Sequence, residues 1–164
     1  MKFKFPLLFF CGLLAVGLLT NSCEKVNQNN IPTLFTGGKW QLASVTVTTY
    51  LGASLVSQQA LDTACNLTQF FTFNADKTCS YSNFACLSQQ ANGHWSLSPD
   101  ELFLYSDIKL DTAAAKSGQP FQTAQIINLG QYSLILQTGD LQTYYLPTQT
   151  RVITQYGFVR VKSQ

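Results

Sequence analysis

From Gly37 onward the chain consists of short runs in which apolar and polar residues alternate, separated by turn-forming residues. Alternation with a period of two is typical of half-buried β-strands. No stretch sustains the 3.6-residue apolar period of an amphipathic helix for more than two turns. Residues 74–77 (Asn-Ala-Asp-Lys) are a turn-forming sequence that joins two such runs into a hairpin. The pattern therefore predicts an all-β fold.

About nine runs qualify as strands, and the links between them are short. Hairpin-length links imply an antiparallel meander, and closing the meander removes its exposed edges. We therefore predict an up-and-down barrel of about eight strands over residues 37–164, with a two-sheet sandwich as the competing architecture. Residues 51–66 are less regular and are predicted as a loop or short helix. The predicted strands are 39–50, 67–73, 78–84, 93–97, 101–105, 121–128, 132–137, 141–146 and 150–161.

Three groups of residues carry a resemblance to a known family. Gly38-Lys39-Trp40 opens the first strand, as Gly-x-Trp does in lipocalins. The second group is a pair of cysteines that flanks a Phe–turn–Asp hairpin (Cys65, Phe71, Phe73, Asp76, Cys86). The third group is a later Gly-x-Trp that precedes a Leu-rich hairpin (Gly93, Trp95, Leu97, Leu102, Leu104). In this order they resemble the lipocalin-like domains of Bacteroidetes lipoproteins. The resemblance implies that Arg160 packs over Trp40 and closes the barrel base; the alternative is that Arg160 is a solvated strand residue.

The N-terminus has the pattern of an export signal. Lys2 and Lys4 precede an uncharged apolar run over residues 5–19, which is shorter than the ~20 residues of a membrane-spanning helix. We predict a signal peptide over residues 1–22, followed by a tether over residues 23–36.

Cys23 directly follows this predicted signal peptide. Leu19, Ser22 and Cys23 resemble the lipobox of bacterial lipoproteins, whereas Thr20 and Asn21 depart from it. The resemblance implies that Cys23 is acylated and anchors the protein to the lipid of the outer membrane, on its periplasmic or cell-surface face. The alternative is ordinary cleavage that leaves Cys23 free or disulfide-bonded.

Charge excludes one class of function. The chain has a formal charge of +2 from ten basic and eight acidic residues, and charged residues make up only 11% of it. Because Lys2 and Lys4 belong to the predicted signal peptide, the remaining chain is neutral. A neutral chain without a run of basic residues is not expected to bind nucleic acid.

Three cysteines, 65, 79 and 86, lie in the predicted barrel. Export would place them in an oxidising compartment. Cys65 and Cys86 flank the same hairpin, so we predict a disulfide between them; pairing of Cys79 with either neighbour is the alternative. Alternation places Cys79 among buried residues.

Candidate catalytic residues are few. His94 is the only histidine, and no nucleophile or orienting acid is marked by the sequence around it. An enzymatic function would gain support only if a loop brought His94 beside an aspartate and a hydroxyl. We therefore expect a protein that is not an enzyme and has no cofactor or metal.

Aromatic residues offer the remaining functional lead. They either line a cavity for a small hydrophobic ligand or simply fill the barrel. We predict a lipoprotein that binds or carries such a molecule, and the alternative is an envelope interaction or accessory module with a filled barrel. Thr63 and Thr112 lie in Asp-Thr-Ala sequences that resemble an O-glycosylation signal. The predicted pocket residues are Phe71, Phe73, Tyr81, Trp95, Phe103, Tyr105, Tyr132 and Tyr144.

Overall fold

The computed structural model describes residues 31–112 and 117–161. These residues form one short α-helix, one 3-10 helix and nine β-strands. In chain order the elements are α1 (Ile31–Thr36), β1 (Lys39–Leu51), β2 (Ser54–Leu61), β3 (Phe70–Phe73), β4 (Thr78–Ser82), the 3-10 helix (Phe84–Cys86), β5 (Gln90–Leu97), β6 (Phe103–Ser106), β7 (Ala124–Leu129), β8 (Ser133–Gly139) and β9 (Thr150–Val161).

Eight of the strands close into an antiparallel barrel, as the sequence predicts. Strands β3 to β9 pair in sequence order, and β1 closes the ring by pairing with both β3 and β9. The β1–β9 ladder runs from Lys39↔Val161 to Leu51↔Thr150, so it spans the whole of β1. A single closed ring of strands excludes the two-sheet sandwich.

Strand β1 extends beyond the barrel wall. Its first residues pair with β3, whereas Val45 to Leu51 pair with β2, which lies outside the ring. All eight residues of β2 are exposed. The prediction of a loop or short helix over residues 51–66 was therefore wrong for β2. Residues 141–146 form a loop rather than the predicted strand.

We name the two ends of the barrel after the elements that lie there. The base is the end where α1 precedes β1, and the open end is the end where β1 turns into β2. Because β4 is parallel in direction to β1, the 3-10 helix that follows it also lies at the open end.

Helix α1 closes the base, although its residues were predicted to belong to the tether. Phe35 is fully buried, with its ring 5.0 Å from that of Phe73 and 5.6 Å from that of Trp95. The Trp40 indole N–H donates to the Phe35 carbonyl at 2.9 Å. The tether prediction was thus wrong for residues 31–36, because the apolar side chain of Phe35 fills the end of the barrel core.

Aromatic rings fill the interior of the barrel. The Phe71 ring lies 4.2 to 5.0 Å from the rings of Phe73, Tyr81 and Phe121, and all four are buried. Such spacing matches the packing of an ordinary protein core. Neither helix of residues 31–112 and 117–161 has the length and hydrophobicity of a membrane-spanning segment.

Candidate functional site

An apolar cavity of about 360 Å³ lies at the open end, above the filled interior. Strands β1 and β9, the end of β2 and the 3-10 helix form its walls. The lining residues are Leu42, Val45, Val47, Leu61, Asp62, Thr63, Gln69, Phe84, Ala85, Cys86, Thr112, Thr154 and Tyr156. We call it the open-end pocket.

The extension of β1 builds one wall of the open-end pocket. A β-bulge lies between Leu42 and Ser44, where the alternation of apolar residues changes phase between Leu42 and Val45. Beyond the bulge, Val45 lies opposite Leu61 of β2 and opposite Tyr156 of β9. The overhanging sheet therefore continues the apolar inner surface past the barrel rim.

The opposite wall is held by Gln69 and a disulfide. The Gln69 side chain is buried, and its Oε1 accepts a hydrogen bond from the Ala85 N–H at 3.1 Å. Asn83, Ala85 and Cys86 all have positive φ angles, so the 3-10 helix needs external support. Cys86 is bonded to Cys65, which confirms the predicted pairing. Cys79 is buried and not disulfide-bonded.

The pocket has little charge. Asp62 is the only charged residue among those that line it, and its Oδ1 accepts the Ala64 N–H at 2.8 Å. Burial raises the pKa of the Tyr156 hydroxyl, although a hydrogen bond with Thr138 opposes the shift. Tyr156 is therefore a neutral group at the pocket wall. Both threonines of the Asp-Thr-Ala sequences, Thr63 and Thr112, line the pocket.

The predicted pocket residues do not come together in one site. Phe71, Phe73, Tyr81 and Trp95 lie inside the barrel, but they pack against one another instead of enclosing space. Burial raises the pKa of the Tyr81 hydroxyl, which has no hydrogen-bond partner among the described residues. Its ring contacts that of Phe84, at the floor of the open-end pocket.

The other four residues predicted for the pocket lie outside the barrel interior. Phe103 and Tyr105 point outward because Leu104 and Ser106 occupy the buried positions of β6. Tyr132 is exposed in the β7–β8 turn, and Tyr144 is 92% exposed in the β8–β9 loop. The prediction was wrong for these residues because alternation alone does not determine which face of a strand is inward.

Sequence reasoning missed the residues that form the pocket walls. Val45 and Val47 follow the bulge that the sequence itself indicates. Continuing the alternation of inward-facing residues along β1 beyond the bulge would have placed Val45 and Val47 on the inner face of the strand. Phe84 and Gln69 gave no such signal, because their positions depend on the backbone geometry around Cys86.

The base contains the contact that the lipocalin resemblance implies. The guanidinium carbon of Arg160 lies 4.5 Å from the centre of the Trp40 ring. Its Nη2 also donates to the Leu34 carbonyl of α1. Arg160 is therefore a packed residue of the base rather than a solvated one.

His94 lies on the outer wall, beside a second concavity of about 370 Å³. Its Nδ1 is 3.3 Å from Oδ2 of Asp107, and both side chains are largely exposed. The hydrogen bond from the His94 backbone N–H lowers the pKa of Asp107. Within residues 31–112 and 117–161, no hydroxyl is hydrogen-bonded to the His94 ring.

Two further findings bear on function. The described residues contain no group of three or more His, Cys, Asp or Glu that could hold a metal ion. Comparison of the chain with protein-family models, with curated proteins and with solved structures finds no match. Cys23 and the predicted signal peptide lie outside the described residues.

Proposed function

We propose that this protein is a lipid-anchored envelope lipoprotein whose barrel binds a small, uncharged hydrophobic molecule in the open-end pocket. The observation that carries the proposal is the pocket itself. Its volume of about 360 Å³ falls in the range of small-molecule sites, which are mostly apolar with a few polar groups. The filled interior beneath it supplies a rigid floor.

The lining indicates the chemical class of the ligand. Val45, Val47 and Leu61 form an apolar wall, and Leu61 is 43% exposed. Covering such surface releases about 25 cal/mol per Å² of apolar area. An anionic head group would meet Asp62 and no lining cation, so a neutral ligand fits best.

The polar residues of the pocket can orient such a ligand. Thr154 offers a hydroxyl group. The Thr63 hydroxyl donates to the Ala43 carbonyl at 3.4 Å and can still accept a hydrogen bond, and Gln69 is committed to holding the 3-10 helix. A ligand with one hydroxyl or carbonyl group would satisfy these positions without a charge.

The binding proposal can be tested with a variant that fills the pocket. Thr154→Phe places a ring in the open-end pocket, and Val159→Phe is the matched control because Val159 lies on the same strand but is exposed on the outside. We expect N-phenyl-1-naphthylamine to bind the unaltered protein and the control, and to bind Thr154→Phe about tenfold more weakly. Equal binding to both variants, or no binding to the unaltered protein, would contradict the proposal.

Native mass spectrometry can identify the natural ligand. Protein extracted from its own membrane should carry a mass increment that is absent from Thr154→Phe. The same spectrum reports the mass of any acyl group and of any glycan at Thr63 or Thr112.

The anchoring proposal rests on Cys23 and has a separate test. Acylation by two or more chains holds a protein stably at a membrane, because each buried CH₂ contributes about 0.8 kcal/mol. Cys23→Ser removes the thiol that would accept the lipid, so the acyl mass should be absent from the protein. Cys11→Ser, a change within the predicted signal peptide, is the matched control and should keep the acyl mass.

A second candidate function, a non-catalytic interaction module, is favoured by one observation. Every residue of β2 is exposed, and β2 carries no charge that would deter pairing with another strand. Crosslinking in the membrane followed by purification distinguishes the two functions. A stoichiometric protein partner together with an empty pocket would favour the module.

A further inference from the structure

The open end carries several exposed apolar side chains outside the barrel wall. These residues lie at the end of β1, at the start of β2 and in the β8–β9 loop, and we call the group the tip. Its members are Leu51, Leu55, Val56, Tyr144 and Leu146. Tyr144 is 92% exposed and Leu146 is 69% exposed.

The two halves of the tip are joined by direct contacts. The Gly52 N–H donates to the Gln149 carbonyl at 2.8 Å. A Cβ on Gly52 would lie 2.5 Å from the Pro147 carbonyl oxygen, so the turn and the loop are packed backbone to backbone. Gly52 also has a φ of +57°, which favours glycine at this position. The tip is therefore a single surface.

Arg151 holds the β8–β9 loop in place. Its guanidinium carbon lies 3.6 Å from the centre of the Tyr145 ring and 5.3 Å from that of Tyr50. Its Nη2 donates to the Gly52 carbonyl at 3.1 Å. Arg151 is only 7% exposed, so its positive charge is withdrawn from the surface of the tip. The apolar side chains are thereby presented to solvent by a fixed framework.

No residue of the tip is charged. Residues 50–61 and residues 141–150 contain no Asp, Glu, Lys or Arg, and the exposed carboxyl groups of Asp62 and Asp140 border these two segments. A surface of this kind complements an electrically neutral partner and gains nothing from an anionic one.

We propose that the tip docks onto the surface of an electrically neutral lipid bilayer. The aliphatic side chains enter the boundary between head groups and acyl chains, and Tyr144 occupies the interface. Because β1 extends past its pairing with β3 and pairs there with β2, the β1–β2 part of the tip lies beyond the barrel rim. A fluid bilayer needs no matching shape.

The position of the tip decides which bilayer it meets. Helix α1 lies at the base, and Cys23 precedes it by only eight positions. An anchor at Cys23 would hold the base beside one bilayer and turn the tip toward a facing one. The open-end pocket lies at the same end as the tip, so a docked barrel would receive its ligand from lipid without exposing it to water. The choice of the facing bilayer and the receipt of ligand both rest on the function proposed above, whereas docking itself does not.

Vesicle sedimentation tests the proposal. The chain from residue 23 with Cys23→Ser excludes the acyl group and the apolar signal segment, and it retains every described element. In this background, Leu55→Ser, Tyr144→Ser and Leu146→Ser are combined. The matched control combines Leu102→Ser, Tyr132→Ser and Val159→Ser, which are similarly exposed positions away from the tip. We expect binding to pure phosphatidylcholine vesicles that is unchanged in 1 M NaCl, is retained by the control and weakens about tenfold or more in the tip variant.

Two fluorescent variants give a second readout, and neither variant loses an apolar side chain. Trp40 and Trp95 are buried, so Tyr144→Trp adds a reporter at the tip and Tyr132→Trp adds one at the base. Brominated lipids should quench the first variant and leave the second unchanged. Equal quenching of both variants would overturn the proposal.

Other outcomes would also overturn it. They are a failure to bind phosphatidylcholine, a requirement for anionic lipid, equal losses in the tip and control variants, and self-association through the tip without vesicle binding. Binding of N-phenyl-1-naphthylamine, measured without vesicles, should survive in the tip variant. Loss of docking is thus distinguishable from loss of the open-end pocket.

Discussion

Arg160 stacks over Trp40 at the base of the barrel, with the guanidinium carbon 4.5 Å from the centre of the indole ring. The pair joins the last strand to the first, and the Arg160 Nη2 extends the connection to the Leu34 carbonyl of α1. Gly37 permits this arrangement because a Cβ there would lie 2.6 Å from the Arg160 Nη1. The Gly-Gly-Lys-Trp sequence therefore serves the closure of the barrel.

Removing this arginine should destabilise the protein. Arg160→Ala loses the contact with Trp40 and leaves the Leu34 carbonyl without its donor, so we expect the free energy of unfolding to fall by about 1–3 kcal/mol. Urea unfolding followed by tryptophan fluorescence measures the change. Lys109→Ala, an exposed position, should leave the unfolding midpoint unchanged. An unchanged midpoint for Arg160→Ala would show that the pair does not hold the base.

Loss of the disulfide should affect both stability and the pocket. Cys65 and Cys86 are separated by 21 positions, so replacing both with serine should lower the free energy of unfolding by about 3 kcal/mol in the chain-entropy model. Because Cys86 lines the open-end pocket, binding of N-phenyl-1-naphthylamine should weaken as well. Reduction of the unaltered protein should reproduce both effects, whereas Cys79→Ser, at a cysteine that forms no disulfide, should not weaken probe binding.

The packed interior predicts the effect of removing one ring. Phe121 is fully buried and contacts Phe71, Tyr81, Phe84 and Tyr156. Phe121→Ala should lower the free energy of unfolding by about 3–5 kcal/mol, since the surrounding rings collapse only partly into the space. Denaturant unfolding checks this value. A cost below ~1 kcal/mol would indicate that the barrel interior is not tightly packed.

The β3–β4 turn should make stability dependent on pH. Asp76 Oδ1 accepts hydrogen bonds from the Thr78 side chain at 2.7 Å and from the Thr78 N–H at 3.0 Å, and these lower the pKa of Asp76. A carboxyl group with a lowered folded-state pKa stabilises the fold above its unfolded-state pKa of about 3.9. That stabilisation is lost as the pH falls through the lower folded-state value.

The experiment compares the unaltered protein with Asp76→Asn. Melting temperatures measured between pH 2 and pH 7 should fall more steeply below about pH 4 in the unaltered protein than in Asp76→Asn. Asp100→Asn should behave similarly, because Ser98 and Leu102 lower the pKa of Asp100 in the same way. Parallel pH profiles for all three proteins would contradict this account.

The local pattern of the sequence was enough to predict several features of the fold. Alternation and turn residues predicted seven of the barrel strands together with β1, and their short links predicted the antiparallel order. The positions of Cys65 and Cys86 at the two ends of one hairpin predicted the disulfide. These features follow from the sequence because each depends on residues that are close together along the chain.

Only the tertiary structure decided which residues face the interior and where the pocket lies. Strand β2 lacks a consistent apolar face, so it forms through its pairing with the overhanging part of β1 rather than through its own pattern. Phe103 and Tyr105 alternate as regularly as Leu104 and Ser106, and the register with β5 and β7 places the second pair inward. Burial depends on contacts between distant parts of the chain, and a one-residue change of phase exchanges the two faces of a strand.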